Sequence, residues 1–190
     1  MAHFERISRT VLHEWVLWKL VQSRFRAPTG EEFVPTYIES PGATGIVPIR
    51  VNARNQYEVV MVRQYRPALD SYSLEIPAGM RDVVGEDPQD TAIRELQEET
   101  GFVSTDVRPL GQILQSPGIS NAVVHLFVAI GLNEVAMDRH GPEEDDMTVM
   151  VLLLDDAIRM IETGEIDNAM AVVGLLRTDR LLRAEGVRSA

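Results

Sequence analysis

The sequence predicts an α+β fold in which helices flank a sheet as an α/β/α sandwich, and three observations predict it. Stretches rich in β-branched residues (IVPIRV at 46–51, YEVVMVRQYR at 57–66, SYSLEIP at 71–77) come first. A capped acidic helix follows, and then three more strand-like stretches, VRPLGQIL, AVVHLFVAIGL and TVMVLLL. The chain ends on two segments with helical apolar spacing. The 190 residues suit one domain, or one domain with a small extension, and a chain of this size buries about 70% of its extended surface.

Residues 9–38 carry Val11, Leu12, Trp15, Val16, Leu17, Trp18, Leu20 and Val21, then PTGEEF and VPTYI. The PTG at 28–30 is a turn signal between two β-capable stretches, so a hairpin is expected around it, while a helix over 10–22 is the alternative reading. A small extension cannot bury so many large side chains alone, which makes residues 1–40 an expected arm for a homodimer. PGATG at 41–45 is a second break, and residues 41–190 are expected to form the catalytic domain. In that part, NARNQ marks the turn between the first two strands, and the second strand ends on Arg63, Gln64, Tyr65 and Arg66. As a sheet edge these residues are ordinary; as site residues, Arg63 and Arg66 place two cations beside the acidic helix.

That helix is marked at both ends. Asp87 is suited to the N-cap, Pro88 to the first helical position and Asp90 to the positive end of the dipole. Gly101 supplies a left-handed residue just past the C-terminus. Ala92, Ile93 and Leu96 form an apolar stripe, and Glu95, Glu98 and Glu99 project from another side. Like charges at this spacing destabilise a helix by a few tenths of a kcal/mol per pair, which a bound divalent cation would offset. Such hard oxygen donors suit magnesium, with manganese as the second choice; zinc would favour His and Cys, and the chain has four histidines and no cysteine. Beyond the later strands, residues 155–163 and 167 to about 184 are expected as helices capped by their aspartates.

Net charge is −11 and the pI near 4.8, a balance that repels nucleic-acid backbones and anionic membrane surfaces. Without cysteine there is neither a disulfide nor thiol chemistry, which agrees with a reducing cytoplasm. The N-terminus MAHFERISRT carries charges where a signal peptide needs an apolar stretch, and runs such as Val149 to Leu154 are far below membrane-spanning length. A cytoplasmic protein is expected, with no membrane and no nucleic-acid partner.

The segment GMRDVVGEDPQDTAIRELQEETGF resembles the Nudix box, G-x5-E-x7-R-E-U-x-E-E-x-G-U. Arg94, Glu95, Leu96, Glu98, Glu99, Gly101 and Phe102 match, and Glu86 stands the required distance before Arg94; six residues instead of five separate Gly79 from Glu86, which lengthens only the loop before the helix. The resemblance implies a Nudix-type sandwich of mixed sheet with flanking helices, plus the N-terminal β-rich arm. It implies metal binding by Glu95, Glu98, Glu99 and the Ala78 carbonyl, with Glu86 orienting the helix through Arg94. Pro117, sixteen residues beyond Gly101, with Gly118 in the SPG loop, is similar to the mark of the ADP-ribose pyrophosphatase branch. VRQYRPA, LEIPAG and GEIDNAMAVVGLL occur in the order that branch shows. Two features depart from it: Ser120–Asn121–Ala122 replaces an acidic pair, and EEFVP at 31–35 lacks a basic residue.

In the acidic loop HGPEEDDM, the resemblance assigns the general base to Glu143 and an extra metal ligand to Asp145. Glu144 takes the base's place if the register shifts by one, and Glu98 counts with the catalytic group as well as with the ligands. The activity implied is magnesium-dependent hydrolysis of the pyrophosphate of a nucleoside diphosphate derivative, ADP-ribose to AMP and ribose 5-phosphate, with Arg66 and Arg63, Pro117 and Gly118 contacting substrate. The alternatives are a nucleotide sugar such as GDP-mannose, or a non-catalytic sensor of ADP-ribose-like ligands. The intact glutamate face and the lack of a DNA-binding helix pair argue against the sensor.

Overall fold

The computed structural model describes residues 3–137 and 146–187. They divide into two compact units, Met1–Gly42 with Leu114–Val123, and Ala43–Ile113 with Val124–Ala190.

In the first unit β1 (Glu5–Trp15) and β2 (Trp18–Arg26) form an antiparallel hairpin that closes on the pair Trp15 and Trp18. Residues 10–22 are therefore not helical, which corrects the alternative reading of that stretch. The tip consists of Val16 and Leu17, and Val16 turns the chain with a φ of 46°, a conformation that hairpin turns usually assign to Asn or Gly. The PTG turn forms where the sequence places it. Gly30 adopts a φ of 89° and donates its N–H to the Ala27 carbonyl at 2.9 Å, leading into β3 (Glu32–Phe33), which pairs with the end of β2. The next strand, β4 (Thr36–Glu39), pairs with the first half of β2. Residues 114–123 join this unit through Ile38, whose N–H donates to the Ile119 carbonyl at 2.8 Å. The whole of β1 is exposed, including Ile7, Val11, Leu12 and Trp15.

The second unit is built on a seven-stranded mixed sheet whose strands include β5 (Ala43–Val51), β6 (Tyr57–Arg66), β10 (Asp106–Leu114), β11 (Val123–Ile130) and β13 (Thr148–Leu153). Along the sheet the order is β10, β11, β5, β6, β13; β7 (Ser71–Glu75) pairs with β6 and β8 (Ala78–Met80) with β5. Strands β11 and β5 run parallel, whereas β6 is antiparallel to β5, β7 and β13. Two short strands, β9 (Phe102–Val103) and β12 (Asn133–Glu134), pair apart from it.

Strand alternation divides the core into two layers. Val47, Ile49, Val59, Met61, Leu126 and Val128 pack with Leu154, Ala157, Ala171 and Leu175 of α2 (Leu154–Thr163) and α3 (Ala169–Ala184). Ile46, Val60, Phe127 and Ala129 point the other way and meet Ala92 and Leu96 of α1 (Pro88–Thr100). The result is the expected sandwich, with α1 on one face and α2 and α3 on the other. Gly174 lets α3 come close, since a Cβ there would stand 2.9 Å from Val47.

The caps of α1 are those the sequence predicts: Asp87 Oδ1 accepts from the Gln89 N–H at 2.8 Å, Pro88 opens the helix, and Gly101 closes it with a φ of 70°. The other two helices start elsewhere. The N-cap of α2 is Leu153 without a side-chain bond, and Asp155 lies in the first turn; α3 is capped by Asn168, not Asp167, its Oδ1 accepting from Met170 and Ala171. Among the described residues no helix is long and apolar enough to cross a membrane.

Candidate active site

The acidic face of α1 is held by contacts on both sides of the helix. Packing of Ala92 and Leu96 against the sheet fixes the rotation of α1, and that rotation brings Glu95 and Glu99 into the layer between helix and sheet, where both are buried. Glu99 Oε2 accepts from the Ala78 N–H at 3.1 Å, tying the helix to β8. Glu95 lies on Gly79: a Cβ on that residue would stand 2.0 Å from the Glu95 carboxyl carbon. The box glycine is thus required by close approach of a carboxylate.

Arg94 sits among four carboxylates. Its Nη1 is 2.9 Å from Glu95 Oε1 and 2.9 Å from Glu98 Oε2, its Nη2 is 3.4 Å from Asp82, and its Nε is 3.6 Å from Glu86. Burial lowers the Arg94 pKa, but the charges of Glu95, Glu98 and Glu86 outweigh it and the net direction is upward. For Glu95 burial is the leading cause and pushes the carboxyl up to about 7, against the pull of Arg94. Glu86 is fixed in turn by the Thr91 hydroxyl, which donates to Glu86 Oε2 at 2.6 Å.

Four carboxylates around the Arg94 guanidinium, with Arg81 Nη2 reaching the Glu86 carbonyl at 3.5 Å, leave an excess of hard oxygen donors at one place. Among the described residues, no three Asp, Glu, His or Cys side chains already converge as a metal shell. The donor set nevertheless fits a divalent cation of the magnesium type. Its donors are oxygens, it carries surplus negative charge, and burial raises the pKa of the Glu95 carboxyl, a cost to its charged form that a nearby cation would offset.

The remaining expected residues are distributed as follows. Ala78, Glu95, Glu98 and Glu99 lie together on β8 and α1. Arg66 ends β6 on the α1 side of the sheet, forming a two-pronged ion pair with Glu75, Nε to Oε1 at 2.8 Å and Nη2 to Oε2 at 2.7 Å. Arg63 is on the opposite face, which corrects its placement beside the acidic helix. It stands three positions before Arg66, so strand alternation turns its side chain toward the α2 and α3 layer, where it stacks 3.7 Å over the Tyr72 ring. Tyr72 in turn donates to Asp146 at 2.8 Å. Pro117 and Gly118 belong to the first unit, in an exposed turn closed by the Ile119 and Ser120 N–H groups on the Ser116 carbonyl. Glu143, Glu144 and Asp145 lie outside the described residues.

Three site residues were not found from the sequence. Glu75 is almost fully buried, and its signal is a lone acid in the apolar run LEIP, facing a strand that ends in arginine. Asp82 and Thr91 complete the Arg94 and Glu86 contacts; both stand in or beside the box at positions its pattern leaves free.

A mixed sheet between helices, with a capped acidic helix docked on a glycine of the neighbouring strand, defines the Nudix type of fold and site. The NUDIX domain model matches residues 39–169, and the chain belongs to that family. It is 36% identical over 173 residues to an ADP-ribose pyrophosphatase of Mycobacterium tuberculosis, covering 91% of this chain and 82% of the relative. It is 34% identical to a methanol dehydrogenase activator of Bacillus methanolicus, over 83% of this chain and 82% of that one. A GDP-mannose pyrophosphatase of Escherichia coli is 32% identical over 77% of this chain and 78% of its own. A crystal structure of an ADP compounds hydrolase shares the fold at a TM-score of 0.82 and 19% identity, covering 98% of this chain and 97% of the other.

Proposed function

We propose that this protein is a Nudix pyrophosphohydrolase that cleaves the pyrophosphate bond of a nucleoside diphosphate derivative, first of all ADP-ribose, to AMP and ribose 5-phosphate. The observation that carries the reading is the buried glutamate face of α1, with Glu95 seated on Gly79 and Glu99 tied to Ala78. Glu95, Glu98, Glu99 and the Ala78 carbonyl would hold the metal, magnesium or alternatively manganese, which when bound neutralises charge on the phosphate oxygens. Arg94 limits repulsion among the carboxylates and fixes Glu98. Arg66, oriented by buried Glu75, steadies the pyrophosphate. Glu143, or Glu144 beside it, takes the proton of the attacking water as its oxygen bonds to phosphorus and the bridging phosphorus–oxygen bond breaks; Asp145 is an additional ligand. Pro117 and Gly118 contact the substrate. The protein works in the cytoplasm as a homodimer, without a nucleic-acid or membrane partner.

A nucleotide sugar such as GDP-mannose is the second reading, favoured by the relative of that name. The test is to incubate pure protein with magnesium and a panel of nucleoside diphosphate compounds and to identify the products by mass. AMP and ribose 5-phosphate formed fastest from ADP-ribose support the first reading; GMP and mannose 1-phosphate formed fastest from GDP-mannose replace it with the second. No turnover of any compound, with ligand still bound, leaves a sensor and refutes both.

A further inference from the structure

Thr44 is fully buried, and its hydroxyl has no hydrogen-bond partner among the described residues. A threonine in an apolar layer normally finds a partner, since an unsatisfied buried hydroxyl is destabilising. Its position in the sheet indicates what that partner is. Thr44 alternates with Gly45 along β5; a Cβ on Gly45 would meet Ile76 and Leu126 in the α2 and α3 layer, so Thr44 faces α1, as Ile46 does. Across the strand pair its partner is Gly79. Side chains of directly paired residues stand about 4.5–5.5 Å apart at Cβ. Gly79 has no side chain, and the Glu95 carboxyl occupies that place, 2.0 Å from where the Cβ would be. The Glu95 carboxyl therefore occupies the cross-strand position opposite Thr44, on the face of the sheet that Thr44 shares. On the other side Thr44 pairs with His125, whose Nδ1 is engaged with Gln112 at 3.3 Å.

We propose that Thr44 is a positioning residue for Glu95: its hydroxyl donates to the Glu95 carboxylate when that carboxylate turns from Arg94 to a bound divalent cation. The inference rests on the metal-binding reading of α1. A ligating carboxylate needs its second oxygen fixed, and loss of such a supporting bond typically weakens metal binding by about 10- to 100-fold. In the metal-free protein the same hydroxyl is an uncompensated buried group, so its removal leaves the fold as stable or more so. Metal affinity and apo stability thus move in opposite directions, which a purely structural threonine does not produce.

The experiment measures Mn2+ binding by calorimetry and thermal unfolding without metal, for wild type, Thr44→Val, Thr44→Ala and Thr44→Ser. Thr44→Val is expected to bind Mn2+ at least 10-fold more weakly with an unchanged or raised melting temperature, and Thr44→Ser to remain within about threefold of wild type. Wild-type affinity in Thr44→Val overturns the proposal. If Thr44→Val does not fold, Thr44→Ala decides by the same comparison of affinity with Thr44→Ser. Failure of the wild type itself to bind Mn2+ would overturn the metal reading of α1, which separates the two claims.

Discussion

Gly79→Ala tests the closest contact of the site. The new Cβ would fall 2.0 Å from the Glu95 carboxyl carbon and its Oε1, and real Cβ contacts essentially never come under 3.0 Å, so the carboxyl must move by about 1 Å or more. Gly79 is not among the residues with positive φ, so alanine fits the backbone and stabilises by about 0.4–1 kcal/mol through the unfolded chain. Against this stands the loosened contact of Glu95 with Arg94, now 2.9 Å, a partly exposed pair worth about 1 kcal/mol. The two nearly cancel, and the melting temperature should shift by less than about 4 °C. Catalysis is less tolerant, because misplacing a catalytic group by 1 Å can lower the rate about a hundredfold. The assay is product formation from ADP-ribose at saturating magnesium, beside thermal unfolding. A variant that melts normally and turns over at the wild-type rate would refute the idea that Glu95 works from its seat on Gly79.

The other predictions concern the surrounding groups. Glu99→Gln abolishes hydrolysis, while the apo protein gains a few tenths of a kcal/mol from relieved repulsion with Glu95; near-normal turnover at saturating magnesium would remove Glu99 from the metal ligands. Arg66→Ala leaves the carboxylate of Glu75 buried without its two-pronged partner, so it should lower stability by about 3 kcal/mol as well as weakening substrate binding; an unchanged denaturation midpoint would contradict that reading. Glu143→Gln lowers turnover about a hundredfold with metal and substrate affinity nearly unchanged, and a large effect of Glu144→Gln instead moves the base by one residue. Light scattering at micromolar concentration should give a dimer mass, because β1 exposes the apolar side chains of Ile7, Val11, Leu12 and Trp15; deletion of residues 1–38 should yield a monomer or aggregate that binds substrate poorly, and a monomeric full-length protein would refute the dimer.

What the sequence makes legible depends on how local the deciding physics is. The caps of α1 could be read because Asp87, Pro88 and Gly101 act on backbone groups within a few residues of themselves, and the acidic face could be read because its spacing is that of a single helix. The hairpin tip at Val16–Leu17 carries none of the residues that announce a turn, so the sequence leaves residues 10–22 open between strand and helix, and the pairing of Trp15 with Trp18 decides for the strand. The start of α2 lies one residue before the expected one for a related reason: Leu153 makes no side-chain cap, and Asp155 and Asp156 sit within the first turn. Long-range facts were out of reach. That Arg66 is bound by Glu75 depends on the register of β6 against β7, and that Arg63 faces away depends on which face of the sheet α1 covers. The same logic explains Thr44, which is an ordinary strand residue in IVPIRV's approach until its pairing with a glycine brings a glutamate from α1 into the slot opposite. A box motif therefore names the carboxylates and the arginine among them, while the backbone contact that ties Glu99 to β8 comes from Ala78, which no pattern of the box includes.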